Sequence, residues 1–251
     1  MKTSKPLSLL LSLLTALLVV SASIAVPLLC RPFYYAHIGS MNLSELTGLS
    51  VEQIRLAYDQ VMDYCLGFRP DFAAGPLWWS ESGASHFADV RVLFRLDLWV
   101  LGISLAALLA LFLWCRKARL RPHCFLGRGP GFWAAAGLGG SFLTVGGLAA
   151  LDFDRAFTIF HTIFFPGKDN WIFDWREDPV ILLLPQEFFR NCAILILALL
   201  LVWCAVLIAA DLLAGRMRKK QEKLNQIVSA CGNCADCSGC SGCPSYQEPQ
   251  K

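Results

Sequence analysis

The chain has 251 residues, of which 56% are hydrophobic and 16% charged, with a mean hydropathy of +0.52 and a formal net charge of +3. It is too apolar for an ordinary soluble domain, and its small positive balance excludes the basic surface of a nucleic-acid binder. The composition is that of a protein dissolved in lipid.

Four runs contain no Asp, Glu, Lys or Arg: residues 6–30, 98–115, 129–151 and 191–210. Each is close to the ~20 residues an α-helix needs to cross the hydrocarbon core, so four transmembrane helices are expected. The first follows Lys2 and Lys5 and reaches Ser23-Ile24-Ala25, as a cleaved signal peptide would. Its apolar part exceeds the ~7–15 residues of a signal core, and a retained helix is the expectation.

Charge orients the spans. Arg116, Lys117, Arg119, Arg121 and Arg128 follow the second run, and Arg216, Arg218, Lys219, Lys220 and Lys223 follow the fourth. The positive-inside rule puts both stretches, and with them both termini, in the cytoplasm. Segments 31–97 and 152–190 carry eight acids against five bases and seven against four, and are expected outside.

The first outer segment is long enough for a small extracytoplasmic domain. Ser50-Val51-Glu52-Gln53 has the form of a capping box, and Ile54, Ala57, Tyr58, Val61, Tyr64 and Cys65 recur at helical spacing up to Gly67. This predicts an amphipathic helix over 51–66 at or near the membrane surface, followed by an interfacial anchor at Leu77-Trp78-Trp79. A helix from Ser85 leads into the second span, with His86 in its first turn and Asp89 three residues on, placed to orient an imidazole. Arg91 is either a headgroup contact or a snorkelling interface residue.

The third span is expected to run on past Asp152. Phe153, Phe157, Phe160 and Phe164 then make an apolar stripe, and Asp154, Thr158, His161 and Phe165 share another face. Polar groups at that depth are costly and usually face an interior or a cavity. Pro166-Gly167 ends the helix, Trp171, Phe173 and Trp175 bring the chain back, Asp178 suits a turn or cap before Pro179, and the apolar run up to Pro185 reads as re-entrant or interfacial.

The pattern HxxDVR over His86 to Arg91, followed by FHxxFF, WxF, DP and PxxFF between Phe160 and Phe189, resembles the bacterial lipoprotein intramolecular transacylase family of four-helix membrane proteins. The resemblance covers residues 1 to about 220. It implies an acyltransferase of the bacterial cytoplasmic membrane that uses no cofactor, acting at the extracytoplasmic face on diacylglyceryl-lipoproteins held in membrane lipid. The sn-2 acyl chain would move to the α-amino group of the N-terminal cysteine. The family's two histidines fall on His86 and His161. His161 is assigned as general base and acid with Asp154 or Asp178 as orienter, and His86, supported by Asp89, as its partner; Arg91 and Trp171 are candidate substrate contacts.

Two other classes compete. A membrane metalloprotein would use the same His and Asp groups as ligands, and a non-enzymatic assembly factor would use both histidines structurally. A disulfide-generating redox protein would need paired exterior cysteines, and only Cys65 is clearly outside.

The sequence thus predicts an all-α integral membrane protein. Residues 1–228 form the membrane domain, with outer loops 31–97 and 152–190, and 229–251 a flexible cytoplasmic tail. In that tail Cys231, Cys234, Cys237, Cys240 and Cys243 repeat every third residue, a thiolate spacing suited to Zn or Cu(I), with palmitoylation or an inert tail as the alternative.

Overall fold

The computed structural model describes residues 2–232. Four helices are long and apolar enough to cross a membrane: α1 (Lys5–Leu29), α5 (Glu81–Ala118), α6 (Pro130–Leu151) and α8 (Gln186–Gly232). Helix α1 packs against the other three, and α6 lies along α8. The α6–α8 seam works because α6 is rich in small residues: Ala135 is fully buried beside Leu200 and Cys204, and Gly146 lies against Leu197. Outward leucines and valines such as Leu109, Leu113 and Val145 are exposed, as a lipid-facing surface requires.

At the basic end of the bundle the chain departs from an all-α expectation. Residues Lys2–Ser4 (β1) pair in parallel with Leu120–Pro122 (β2). The Ser8 hydroxyl donates to the His123 carbonyl at 2.9 Å, and Asp211 accepts the Gly129 N–H at 2.8 Å and pairs with Arg128 and Arg218.

The other end carries a small domain of α2 (Arg31–His37), α3 (Leu43–Thr47), α4 (Val51–Leu66), the 3-10 helix Pro179–Leu183 and the starts of α5 and α8. Helix α4 has the expected bounds and its capping box: Ser50 Oγ accepts from Gln53 N, and Gln53 Oε1 accepts from Ser50 N. Its apolar face packs inward on the small domain. Ile54, Ala57, Tyr58, Val61 and Cys65 are buried in a shared core, where the Tyr34 and Tyr58 rings stack at 3.6 Å. The apolar run of the second outer loop joins the same core. Val180 and Leu183 are fully buried in this core, and the Tyr34 hydroxyl donates to the Leu183 carbonyl at 2.8 Å.

Three helix boundaries also differ. The second long helix begins at Glu81, capped by Ser80, which puts His86 in its second turn. The third span does not run on: Asp152 is extended and caps a separate helix, α7 (Phe153–Phe164), by accepting the Arg155 N–H at 3.0 Å. Helix α8 continues past residue 210 and through the 228/229 boundary. The Cys231 backbone lies near its end; Cys234, Cys237, Cys240 and Cys243, and with them the metal expectation for the tail, fall outside the described residues.

Candidate active site

His86 on α5 and His161 on α7 meet where the small domain joins the bundle. Their ring centroids are 5.9 Å apart with planes inclined by 32°. Both side chains are buried, at 6% and 8% exposure. Aromatic rings close around them. Phe165 lies 4.9 Å from His86 and 5.7 Å from His161, Phe173 lies 5.5 Å from His86, and Phe157 lies 4.2 Å from His161. Trp171 stacks on His161 at 4.7 Å and 26°.

The loop after α7 is sewn to α5 by polar contacts. Lys168 pairs with Asp89 Oδ1, and the Asn170 amide donates to Asp89 Oδ2 at 3.0 Å and to the Ser85 hydroxyl at 2.9 Å. Further along, buried Asp178 accepts the Ser80 N–H at 2.6 Å and the Ser80 hydroxyl at 2.9 Å. These links bring residues from 80–90 and 161–178 together although some 80 positions separate them in sequence.

His161 Nδ1 lies 2.8 Å from the Phe157 carbonyl oxygen. A carbonyl only accepts, so Nδ1 carries the proton and Nε2 is left with its lone pair. Burial holds the His161 pKa below the ordinary imidazole value, while the Phe157 carbonyl acts in the opposite direction. The ring is therefore neutral at neutral pH. His86 Nδ1 and Asn170 Oδ1 are both buried without a hydrogen-bond partner.

The expected supporting residues fare differently. Trp171 is in the site. Asp89 is at its edge, but its carboxylate holds Lys168 and Asn170 and not a histidine directly. Asp154 is not the orienter of His161: seven residues earlier on α7, it lies two turns away and accepts from the Gln186 amide at 2.6 Å. Asp178 is not an orienter either, since both its oxygens serve Ser80. Arg91 lies about 140° around the helix from His86. Its guanidinium donates to the Arg69 and Pro70 carbonyls and sits over Tyr64, so it braces the small domain. Asn170 and Lys168 at the site were not singled out from sequence, whereas Phe165, expected on the His161 face, and Phe173, expected in the returning segment, line it. Among the described residues, no three His, Cys, Asp or Glu side chains gather as a metal-binding group.

The sequence profile of a family described as "Lipoprotein intramolecular transacylase Lit" matches residues 9–189. A crystal structure of the membrane-integral lipoprotein intramolecular transacylase Lit from Bacillus cereus superposes with a TM-score of 0.75 at 21% identity, covering 86% of this chain and 96% of that one. Two variants of that protein, with one histidine replaced by arginine or by alanine, give TM-scores of 0.69 and 0.68 at 21% and 22% identity. They cover 87% and 84% of this chain and 93% and 94% of theirs. No curated protein matches the chain by sequence.

Proposed function

The chain belongs to the lipoprotein intramolecular transacylase family, and on that premise we propose that it moves the sn-2 acyl chain of a diacylglyceryl-lipoprotein onto the α-amino group of the lipoprotein's N-terminal cysteine. The product is an N-acyl lyso-lipoprotein. The observation that carries this reading is the convergence of His86 and His161 in one aromatic-walled site.

Proton bookkeeping explains why two imidazoles serve this chemistry. A terminal ammonium, with a pKa of about 7.7–8.0, must lose two protons to become an amide nitrogen, whereas the departing glyceryl oxygen takes back only one. Two acceptors are therefore needed, one of which also donates. His161, with a bare Nε2 and a lowered pKa, accepts the proton released as the amine attacks the ester carbonyl and returns it to the leaving oxygen. His86 takes the proton that first frees the amine. Donor and acceptor belong to one substrate molecule, so the aromatic walls need only fold the headgroup for the two to meet, and positioning can supply a large part of the acceleration.

A covalent acyl-enzyme has less support. Cys65 is sealed in the small-domain core, where burial pushes its thiol up to about 12. Ser85, near His86, already donates its hydroxyl proton to the Ser82 carbonyl at 2.8 Å. The acidic outer segments and the basic opposite end support placing the site at the extracytoplasmic face.

The test is mass spectrometry of the N-terminal lipopeptide of a reporter lipoprotein, in a host that makes only the diacylglyceryl form. An N-acylated lyso peptide of unchanged total mass is expected when this protein is present. An unmodified diacyl peptide, with expression confirmed, would overturn the reading.

A further inference from the structure

The proposed chemistry needs a defined tautomer at each histidine. The Phe157 carbonyl sets that of His161; the question is what sets that of His86.

Asn170 is oriented by its partners. Its Nδ2 lies 3.0 Å from Asp89 Oδ2 and 2.9 Å from Ser85 Oγ. A carboxylate only accepts, and Ser85 has already given its single hydroxyl proton to the Ser82 carbonyl. Both positions demand a donor, and the NH2 group supplies both hydrogens. Turned over, the amide would set oxygen against oxygen. The Lys168 ammonium further fixes Asp89 in place.

The amide's other end, Oδ1, is thereby held as an acceptor with no donor, buried in the same site as His86 Nδ1, which also has no partner. Asn170 is bonded to Ser85 and Asp89, which flank His86 on α5. Two buried orphans of complementary type favour each other strongly, because each otherwise bears its full desolvation cost.

We propose that Asn170 is the positioning residue of His86: its Oδ1 accepts the His86 Nδ1–H and so keeps Nε2 unprotonated and open to the substrate amine. Asp89 then acts on the histidine through Asn170, with Lys168 behind it. The catalytic consequence rests on the transacylase reading, whereas the tautomer does not.

Full-length protein labelled with 15N-histidine, in detergent at pH 8, tests the tautomer directly. There are only four histidines, and loss of a signal in His86→Gln assigns the ring. The expected spectrum has a protonated Nδ1 and a bare Nε2, shifting toward the opposite tautomer in Asn170→Ala. A wild-type ring protonated mainly on Nε2, or a tautomer unchanged by Asn170→Ala, overturns the proposal.

A kinetic arm separates positioning from folding. Asn170→Ala is expected to lower kcat roughly tenfold or more with little change in KM. The exchange Asp89→Asn with Asn170→Asp restores the contact between positions 89 and 170 and leaves an acceptor facing His86, losing the hydrogen bond to Ser85 and the charge of the Lys168 pair, and is expected to recover part of the rate. An exchange variant that melts like the parent yet stays as slow as Asn170→Ala counts against the proposal. If the tautomer behaves as expected while the wild-type protein never converts the reporter lipoprotein, the transacylase reading falls and the positioning of His86 stands.

Discussion

Trp171 lies on the face of His161, with centroids 4.7 Å apart and planes inclined by 26°, and its indole N–H donates to the Lys168 carbonyl at 3.0 Å. The ring that is to move the proton is thus clamped by an aromatic surface that is itself tied to the loop joining α7 to α5. Such a pair contributes about 0.5–1.5 kcal/mol beyond simple burial. Trp171→Ala is accordingly expected to slow acyl transfer by up to about tenfold, and Trp171→Phe by much less. Rates of lyso-product formation measure it, and a Trp171→Ala protein as fast as the parent would show that the stack does not matter.

Each of His86→Ala and His161→Ala is expected to abolish the lyso product while still inserting into the membrane. The pH profile follows from the lowered pKa of buried His161. Because the folded ring resists protonation, its base form persists through neutral pH and is lost only below the ordinary imidazole value of about 6.5, whereas protonation of the substrate amine sets in near its own pKa of about 7.7–8.0. Stability moves with the same sign. Below about pH 6.5 the unfolded chain binds a proton that the folded site refuses, so the unfolding free energy declines as pH falls through that window. A rate that declines between pH 8 and 7 by more than protonation of the amine accounts for would mean that another group limits the reaction.

Gly83 is predicted to be intolerant of a side chain. An added Cβ would collide with Asp178 Oδ1 and sit 3.1 Å from the Phe173 ring, and Asp178 cannot retreat without releasing Ser80. Gly83→Ala should cost about 1–3 kcal/mol, as overpacking usually does. Gly102, on the same helix, has nothing within 4 Å of its added Cβ, so Gly102→Ala is neutral or gains up to about 1 kcal/mol from helix propensity. Thermal unfolding in detergent compares the two, and equal melting temperatures would refute the close approach.

What the sequence made legible was set by periodicity and charge. The uncharged runs located the spans because lipid tolerates few alternatives, and the capping box fixed α4 because Ser50 and Gln53 interact locally. The two histidines were legible as types in a motif, while their meeting was not, because it depends on tertiary links such as Asn170 to Ser85 and Asp178 to Ser80. Asp154 and Asp178 bond Gln186 and Ser80 and no histidine, because a carboxylate near a histidine in sequence is free to serve another partner. Asn170 was passed over because an amide does not titrate, although its fixed donor and acceptor ends are what make it useful. The short β1–β2 pairing carries no periodic signal at all.

Asp154 offers a test of that lesson. Its only described hydrogen-bond partner through the side chain is Gln186, at an exposed position. Asp154→Ala should therefore cost no more than the ~0.5–1.5 kcal/mol of a typical hydrogen bond and leave the acyl-transfer rate within a few-fold of the parent. A hundredfold loss would restore Asp154 as a partner of His161.

Removing residues 229–251 should leave transacylation intact. The site lies beside the first turns of α8, and at 1.5 Å per residue the stretch from Gln186 to residue 228 separates it from the tail by roughly 60 Å of helix. The same reasoning predicts that chelation changes neither the rate nor the pH profile, since the proton steps need only the two imidazoles. Reporter conversion by the truncated protein, with and without a chelator, measures both. Loss of conversion on truncation at unchanged membrane level would place the tail in the reaction, and loss on chelation alone would return the His and Asp groups to the metalloprotein reading.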